Sequence, residues 1–515
     1  MNKTTTPSVQ ALLQEAVALH QAGKLDDASR QYQQVLLKQP DNFEAMHFSG
    51  VIARQRGNAP EAIAMIQHAI ATLGGKFNLN HASAFCNLGT AFQDNLEPEM
   101  AMNSYLQAIE LRPDYAIAHN NLGNALKKLG RMEDALQSFQ NALAYAPNYA
   151  EAYFNAGLVL QDAGQFEASV QCFDRAIQIK PADPETWFAR GNAWQSMQLH
   201  ERAVSDFEHS LSLRPDYAKA WFNRGISFNR LTRYEDAIQS FEEAIRTQPR
   251  YANAYFYLAN TLRLIQKNAE AIAAYQAALE FGADAVQVNF ALAGVGVGNP
   301  PPAPPPDYVK ELFDQYADHF DQHLVEVLEY ETPGYLAKLV GQYRHGNQLV
   351  TLDLGCGTGL CGSYLRPYSA SLTGIDLSQK MLDQAAKRNL YDQLICADIT
   401  DFLQRATRKI DLIVAADVLV YLGDLQSIFY AAKTALTERG LFCFSVEEAE
   451  IGTALYALTS SNRYAHSEKY LRELAGQAGL TIVETSRHIG RMENFQKTNT
   501  LILLLENTAH PQHSA

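Results

Sequence analysis

Apolar residues recur through the first half of the chain at a spacing that fits pairs of helices. Proline marks the period, because it stands at intervals of 34 residues. The marked positions are Pro113, Pro147, Pro181, Pro215 and Pro249. Counting back from each proline predicts helix pairs that begin at residues 82, 116, 150, 184 and 218, and the same frame extends to 9, 43 and 252.

Small residues and rings recur at fixed places within each unit. Glycine stands at the eighth position of six units. Alanine stands at the twentieth position of seven units, and a large ring stands at the twenty-fourth position of seven units. An alanine four residues before a ring places both on one helix face, as the core of a helix pair requires. The pattern resembles a tetratricopeptide repeat array of eight units over residues 9–285. The resemblance implies an all-α superhelix that a short apolar helix near Asp284–Ala293 caps.

Asparagine recurs at the sixth position of four repeats. These residues are Asn87, Asn121, Asn155 and Asn223. The resemblance implies that this position faces the concave groove, where an amide offers a donor and an acceptor to an extended peptide. Ala189 and Tyr257 interrupt the series, and ordinary surface polarity is the alternative interpretation. The array is therefore predicted to bind a protein or peptide partner through this groove.

A composition change marks a predicted domain boundary. Residues 294–307 read GVGVGNPPPAPPPD, in which a glycine-rich stretch precedes a proline run. Prolines fix a stiff spacer and glycines do not hold a helix. The predicted organisation is a repeat array over 1–293, a linker over 294–307 and a second domain over 308–515.

From residue 347 short apolar runs alternate with helical segments, which predicts parallel strands in an α/β sheet. The first run leads into Gly355-Cys-Gly-Thr-Gly359, whose glycines let the backbone approach a ligand and turn into a helix. The next four runs end in Asp376, Asp398, Asp417 and Glu447. Because parallel strands present their carboxyl ends at one edge, these acids are predicted to converge on a ligand crevice.

These motifs resemble the class I S-adenosylmethionine-dependent methyltransferases over residues 308–506. The resemblance implies a Rossmann-like, seven-stranded sheet whose last strand, residues 500–505, inserts antiparallel. It implies that the glycine loop and Asp353 hold the methionine part of S-adenosylmethionine, Asp376 the ribose, and Asp398 with Ile399 the adenine. The complete predicted cofactor site is Asp353, Gly355, Cys356, Gly357, Gly359, Asp376, Leu377, Met381, Asp398, Ile399 and Asp417. For Asp353 and Asp417, helix capping or loop solvation is the alternative interpretation.

Two further stretches resemble predicted methyltransferases that carry tetratricopeptide repeats. Residues 313–323, followed by 328–333, form an amphipathic segment that is predicted to fold over the cofactor as a lid. Residues 462–467 follow the fifth strand, where this superfamily usually inserts substrate-binding elements. The resemblance implies methyl transfer and leaves the acceptor open.

The predicted catalytic residues are His466 and Tyr464. An amine or hydroxyl acceptor needs a general base, and the imidazole of His466 titrates near neutral pH. Glu447 and His488 are alternatives, and a purely structural hydrogen bond is the other interpretation of His466. A carboxylate acceptor needs no base.

Charge, cysteine content and the lack of long apolar runs argue against nucleic acid, metal ions and a membrane span. The 42 lysines and arginines against 56 acids give a net charge of −14, and no basic run offers a nucleic-acid surface. The six cysteines form no C-x-x-C pair, so neither a zinc site nor any other metal is predicted. Without a signal-like segment or an apolar run of about 18 residues, the expected location is the cytoplasm, with no membrane span. The sequence leaves the oligomeric state open.

Two function classes follow from this organisation. In the first, the repeats recruit a protein or peptide that the second domain methylates. In the second, the acceptor is a small molecule or glycan intermediate and the repeats only dock the enzyme onto a complex. A scaffold with an inactive methyltransferase fold is a third reading, and the intact glycine loop with Asp376 and Asp398 argues against it.

Overall fold

A computed structural model describes residues 8–316, 331–346, 348–407, 409–450, 452, 455–459, 461–493 and 496–508. The chain forms two compact units, Met1–Pro249 and Arg250–Ala515. The predicted boundary at residues 294–307 lies inside the second unit, which also contains the eighth repeat.

The first unit consists of seven helix pairs. Their helices are α1 Val9–Gln21, α2 Leu25–Lys38, α3 Phe43–Gln55, α4 Ala59–Thr72, α5 Ala82–Asp94, α6 Pro98–Leu111, α7 Ala116–Lys128, α8 Met132–Tyr145, α9 Ala150–Asp162, α10 Phe166–Ile179, α11 Pro184–Ser196, α12 His200–Leu213, α13 Ala218–Arg230 and α14 Tyr234–Thr247. The first helix of every pair begins at the residue that the 34-residue frame predicts. The repeat prediction is therefore confirmed for this unit.

Glycine at the eighth position lets the two helices of a pair touch through a ring. A Cβ atom on Gly157 would lie 2.6 Å from Cε1 of Phe173, and Gly123 and Phe139 show the same relation at 2.5 Å. Both rings are completely buried. A methyl group at these glycines has no space unless the ring moves, so the glycine and the ring specify one packing.

The second unit begins with the eighth repeat. This repeat comprises α15 Ala252–Leu264 and α16 Asn268–Glu280, and the predicted cap follows as α17 Ala285–Gly294. Asp284 starts α17 by accepting hydrogen bonds from the backbone of Val286 and Gln287. Two further helices, α18 Pro306–Tyr316 and α19 Thr332–Tyr343, precede the sheet. The part of the predicted lid over residues 317–330 lies outside the described residues.

A mixed sheet forms the rest of this unit. Its strands are β1 Leu349–Leu354, β2 Ser369–Asp376, β3 Gln393–Cys396, β4 Ile410–Ala415, β5 Leu436–Glu448, β6 Tyr456–Leu458, β7 Tyr464–His466, β8 Thr481–Glu493 and β9 Gln496–Glu506. The helices between them are α20 Gly362–Leu365, α21 Gln379–Lys387, α22 Ile399–Arg405, α23 Gln426–Ala435 and α24 Glu468–Ala478. Strands β3, β2, β1, β4 and β5 lie side by side and parallel, and β9 inserts antiparallel between β5 and β8. The predicted antiparallel last strand is confirmed.

Nine strands are described where seven were expected. The additional two, β6 and β7, form a hairpin that extends the carboxyl end of β5. Strand β7 pairs with β5 through Glu447 opposite Ala465 and Glu448 opposite His466. The hairpin contains part of the segment that the sequence marks as a substrate insertion. Its strands are three residues long, too short for the apolar pattern to reveal.

The proline segment is docked on the second unit. The carbonyl oxygen of Pro302 accepts hydrogen bonds from the backbone N–H groups of Gly423 and Asp424, each at 2.9 Å. The Tyr464 hydroxyl donates to the carbonyl oxygen of Pro301 at 2.9 Å. Pro305 is buried. Proline has no N–H, so these contacts use the polar group that it retains.

The turn between β6 and β7 packs against the eighth repeat and α17. Nη1 of Arg263 donates to Oδ1 of Asn462 at 3.0 Å, and Nδ2 of Asn462 donates to the Tyr308 hydroxyl at 3.1 Å. Gly294 lies so close that a Cβ atom there would be 3.0 Å from Oδ1 of Asn462. The side chain of Asn462 thus joins α15, α18 and the hairpin.

Replacing Arg263 by Met should destabilise this unit. Asn462 is only 8% exposed, so its amide oxygen loses a charged donor and gains little water. We expect the free energy of unfolding to fall by about 1.5–3 kcal/mol in urea denaturation. Arg472→Met removes an exposed ion pair with Glu468 on α24 and serves as the matched control, with an expected loss of at most ~0.5 kcal/mol. Equal losses in the two variants would contradict a structural role for the Arg263–Asn462 contact.

Candidate functional site

The glycine loop after β1 requires its glycines. Gly355, Gly357 and Gly359 have φ values of +64°, +53° and +84°, which lie in the left-handed region. A Cβ atom on Gly355 would lie 2.3 Å from Cγ2 of Val418. The backbone of the loop is anchored to the next strand, because the N–H of Cys356 donates to the carbonyl oxygen of Ile375 at 2.9 Å.

Asp376 joins the glycine loop to the end of β2. Its Oδ2 accepts a hydrogen bond from the N–H of Gly357, and its Oδ1 accepts one from the N–H of Ser378, both at 2.9 Å. The side chain is buried, and this burial raises its pKa above the usual value while the backbone donors oppose the shift. The carboxylate is thus held rigidly at the carboxyl edge of the sheet.

Asp353 is a buried acid within β1. It is 1% exposed, and its Oδ2 accepts a hydrogen bond from the Tyr391 hydroxyl at 2.7 Å. Burial, with a further contribution from the negative charge of Asp376, raises the pKa of Asp353 to about 7. Asp353 lies in a strand and away from water, so neither helix capping nor loop solvation explains it. A cationic group of a ligand would favour its ionised form.

The other two predicted acids have structural hydrogen bonds at the same edge. Oδ1 of Asp398 caps α22 by accepting from the N–H groups of Thr400 and Asp401, each at 2.9 Å. Asp417 has a φ of +54° and accepts from the Ser445 hydroxyl at 2.6 Å. Both residues line a cavity at this edge of the sheet.

A cavity of about 340 Å³ lies over these residues. It brings together nine of the eleven predicted cofactor residues. They are Asp353, Gly355, Cys356, Gly357, Asp376, Leu377, Asp398, Ile399 and Asp417. Gly359 and Met381 lie outside the lining. Gly359 packs against Tyr391 instead, and Met381 is completely buried in α21.

The predicted catalytic residues His466 and Tyr464 are not in the lining of this cavity. Both are completely buried. Nε2 of His466 donates to the carbonyl oxygen of Gly423 at 3.0 Å, and burial lowers its pKa to about 4. The hydroxyl of Tyr464 donates its hydrogen bond to the carbonyl oxygen of Pro301. The observed contacts match the structural interpretation of His466 and do not bring it to the cavity.

Several lining residues were not among the predicted site residues. Ala303, Pro304 and Pro305 belong to the segment interpreted as a spacer, and Tyr421 and Arg463 are far from the glycine loop in the sequence. Arg463 lies within residues 462–467, the stretch that the sequence indicates as a substrate-binding insertion. That stretch is the sequence signal that could have identified Arg463 as a lining residue. Of the predicted lid, Phe313 and Pro333 line the cavity.

The four groove asparagines are half-buried and contact the repeat before them. Nδ2 of Asn155 donates to Oδ1 of Asn120 at 3.0 Å, and Nδ2 of Asn223 donates to Oδ1 of Asn192 at 2.7 Å. The side chain of Asn87 reaches Nε2 of His47 at 3.0 Å, and that of Asn121 lies 4.0 Å from Sγ of Cys86. These amides therefore contribute to packing between repeats, and peptide binding stays a prediction.

Within the described ranges, no group of three or more His, Cys, Asp or Glu side chains has an arrangement that suits a metal ion. A search of the same residues finds no helix with the length and apolar character to cross a membrane.

Asp353→Asn should change how stability depends on pH. The pKa of Asp353 is about 7 in the folded state and about 4 in an unfolded chain. The folded state therefore binds this proton more tightly, and the carboxyl reduces stability progressively as pH rises from about 4 to about 7. We expect the free energy of unfolding of the variant, relative to wild type, to rise by about 2–4 kcal/mol between about pH 5 and about pH 8 in urea denaturation.

Asp392→Asn is the control for this measurement. A hydrogen bond from the Leu372 N–H and the guanidinium of Arg366 hold the pKa of Asp392 below its usual value. The difference in the free energy of unfolding between Asp392→Asn and wild type should therefore stay constant over the same pH range. A constant difference for Asp353→Asn as well would contradict the raised pKa.

Family models match two different parts of the chain. A family model described as a methyltransferase domain matches residues 352–442. Models described as tetratricopeptide repeats match residues 114–182, and residues 13–74, 86–140, 188–249 and 225–286. Among solved structures, the tetratricopeptide repeat protein YrrB is 19% identical, with a TM-score of 0.34, and covers 37% of this chain and 98% of its own.

Two curated relatives carry methyltransferase or biosynthetic names. The bifunctional biotin biosynthesis protein BioHC of Saccharophagus degradans is 30% identical over 154 residues, which are 27% of this chain and 27% of that protein. The ubiquinone biosynthesis O-methyltransferase of Coxiella burnetii is 27% identical over 114 residues, 21% of this chain and 48% of that protein. This chain thus spans at most about half the length of these relatives. On its sequence matches and its fold, the chain is a protein that combines tetratricopeptide repeats with a methyltransferase domain.

Proposed function

We propose that this chain is an S-adenosylmethionine-dependent methyltransferase whose repeat array recruits a protein or peptide substrate or partner. The observation that carries the proposal is the cavity at the carboxyl edge of the sheet. There the glycine loop, Asp376 and Asp398 meet in the arrangement that suits a nucleoside ligand. The division into an array over 1–293, a joining segment over 294–307 and a catalytic domain over 308–515 is part of the proposal.

The acids and glycines of the lining support S-adenosylmethionine as the ligand. Asp376 lies beside a left-handed backbone that favours glycine, and we assign it to the ribose hydroxyls. Asp398 caps α22 through its Oδ1 atom. We assign the side chain of Asp398, together with Ile399, to the adenine. Asp353 and Asp417 supply negative charge where the methionine part, with its ammonium group, would lie. These assignments rest on the family resemblance and on the lining.

The cofactor supplies an activated methyl group, so the protein's task is to align the acceptor and exclude water. Pro304, Pro305 and Phe313 are apolar residues of the same lining, and we assign to them the apolar wall of the site. Such a wall keeps water from the transfer path, and the docked proline run makes it stiff.

A small-molecule or glycan acceptor is the alternative. The Coxiella relative carries a small-molecule biosynthetic name, which favours this class. In that case the array docks the enzyme onto a complex and leaves the acceptor to the second domain alone. Net negative charge argues against nucleic acid in both cases, and the cytoplasm is the location that we propose.

Asp376→Ala should weaken cofactor binding. The variant loses a carboxylate that we assign to two ribose hydroxyls, and each charged hydrogen bond contributes about 1.5–3 kcal/mol. We expect the dissociation constant for S-adenosylmethionine to rise by about 100-fold or more in calorimetry. Asp383→Ala, an exposed acid on α21, is the control and should bind as wild type. An unchanged affinity of Asp376→Ala would refute the cofactor assignment.

The groove asparagines can be tested as a set. Replacing Asn87, Asn121, Asn155 and Asn223 together by Ala should raise the apparent KM for a protein substrate, because docking energy is lost. Each truncated amide also gives up a contact between repeats, so we expect a stability loss of about 0.5–1.5 kcal/mol per hydrogen bond. Cofactor affinity should stay unchanged.

The matched control uses exposed amides of the same four repeats. Asn103, Gln137, Gln171 and Gln239 stand at the twenty-second position on the second helices, away from the sixth position under test. Their joint replacement by Ala should leave the KM unaltered. If the groove variant methylates its full-length protein partner at the wild-type rate, the groove does not recruit it, and the small-molecule alternative becomes the leading one.

A further inference from the structure

The ring of Tyr391 lies against three glycines from different parts of the second unit. A Cβ atom on Gly359 of the glycine loop would lie 3.0 Å from Cε2 of the ring, and a Cβ atom on Gly374 of β2 would lie 2.9 Å from Cδ1. On Gly362, the first residue of α20, a Cβ atom would lie 2.7 Å from the Tyr391 hydroxyl oxygen. A side chain at any of these positions would displace the ring, so the three glycines together fix where the ring lies.

The segment that carries Tyr391 is attached on both sides. Nε of Arg388 donates to the carbonyl oxygen of Thr358 in the glycine loop at 2.8 Å. The N–H of Asp392 donates to the carbonyl oxygen of Leu372 in β2 at 2.8 Å. Tyr391 therefore stands between a contact to the glycine loop and a contact to the neighbouring strand, and these two contacts set its position along the chain.

The hydroxyl of Tyr391 is directed at an acid of the cavity. It donates to Oδ2 of Asp353 at 2.7 Å. Burial, together with the negative charge of Asp353, raises the pKa of Tyr391, so the hydroxyl keeps its proton and stays a donor at neutral pH. Asp353 lines the cavity, and a carboxylate accepts hydrogen bonds through both of its oxygens. Its Oδ1 atom can therefore accept from a ligand while Tyr391 holds Oδ2.

We propose that Tyr391 is a positioning residue of the cofactor site, whose hydroxyl orients Asp353 toward the ammonium group of the methionine part. The inference rests on the proposed S-adenosylmethionine function and on the assignment of Asp353 made there. Tyr391 lies outside the lining of the cavity, so it acts on the ligand through Asp353. A buried carboxylate with one oxygen fixed presents the other oxygen in one direction, which favours a cationic donor at that place.

Packing alone is the other interpretation of this tyrosine. Loss of packing beside the glycine loop would disturb the whole ligand, because the loop contributes to the cavity through several residues. Loss of the orienting hydroxyl would disturb the ammonium group and leave the rest of the ligand bound as before. The two interpretations therefore differ in which part of the ligand depends on Tyr391.

Three ligands separate these interpretations. S-adenosylhomocysteine carries the amino group and the carboxylate, its deamino analogue keeps the carboxylate alone, and methylthioadenosine lacks both. Calorimetry on the full-length chain measures the dissociation constant of each ligand. We expect the wild-type chain to bind S-adenosylhomocysteine about tenfold or more tightly than the deamino analogue, because a charged hydrogen bond to Asp353 is lost with the amino group.

Tyr391→Phe keeps the ring and removes the hydroxyl. We expect this variant to bind S-adenosylhomocysteine about tenfold or more weakly than wild type, since Asp353 loses its orientation. The affinities for the deamino analogue and for methylthioadenosine should change by less than about twofold. An equal loss for all three ligands would assign Tyr391 to packing alone, and an unchanged affinity for S-adenosylhomocysteine would remove it from the site. Either result overturns the proposal.

Tyr343→Phe is the matched control. It also removes a hydrogen bond from a tyrosine hydroxyl to a carboxylate, in this case to Oε2 of Glu484 at 2.6 Å. Neither Tyr343 nor Glu484 lines the cavity. The control variant should therefore bind all three ligands with wild-type affinity.

A double-mutant cycle tests whether Tyr391 acts through Asp353. Asp353→Asn should by itself remove most of the preference for S-adenosylhomocysteine over the deamino analogue. In that background, Tyr391→Phe should change the affinity for S-adenosylhomocysteine by less than about twofold, because the group that it orients is already absent. A further tenfold loss would show that Tyr391 reaches the ligand by another route and would overturn the proposal.

The outcomes separate the inference from the function on which it rests. A chain that binds none of the three ligands contradicts the proposed function and the inference with it. A wild-type chain that binds S-adenosylhomocysteine and the deamino analogue equally well contradicts the assignment of Asp353 and the inference, whereas its binding of both ligands supports the proposed function. Wild-type preference for the amino group in Tyr391→Phe contradicts the inference alone.

Discussion

Two acids at the carboxyl edge of the parallel sheet, Asp353 and Asp376, are buried, and hydrogen-bond donors of the protein replace the water that they lose. Backbone N–H groups of Gly357 and Ser378 donate to Asp376, and those of Thr400 and Asp401 donate to the partly exposed Asp398. Asp353 has a tyrosine hydroxyl for this purpose and has a raised pKa. The glycine loop, the caps and the cavity all follow from this arrangement. A cationic ligand would complete the solvation of these acids, which relates the chemistry of the site to the construction of the fold.

The repetitive and local features of this chain were predictable from the sequence. Repeat starts agree with helix starts because a glycine, an alanine and a ring must meet within each 34-residue unit, and Gly157 against Phe173 shows how little space remains. The glycine loop was also predictable, since three left-handed residues in five positions leave few alternatives to glycine. Short-range steric rules control both features.

Contacts between distant segments were not predictable in the same way. The proline run has the composition of a spacer, yet Gly423, Asp424 and Tyr464 donate hydrogen bonds to it from more than a hundred residues away. His466 has a suitable pKa for a base as an isolated residue, but the hairpin buries it against Gly423. No periodicity encodes such partners, because they depend on where three-residue strands place their side chains. Arg463 was overlooked for the same reason, although its neighbours in sequence had been singled out.

The attachment of the hairpin turn to the eighth repeat has a consequence for how such a chain can diversify. Arg263 and α17 belong to the second unit, whereas the preceding seven repeats form a compact unit of their own. A duplication or deletion of whole 34-residue units upstream of residue 250 would leave the contacts of Asn462 intact. Array length can then vary between related chains, while the last repeat stays tied to the contacts of the second unit. Sequence drift within one array should therefore be slowest at its final unit.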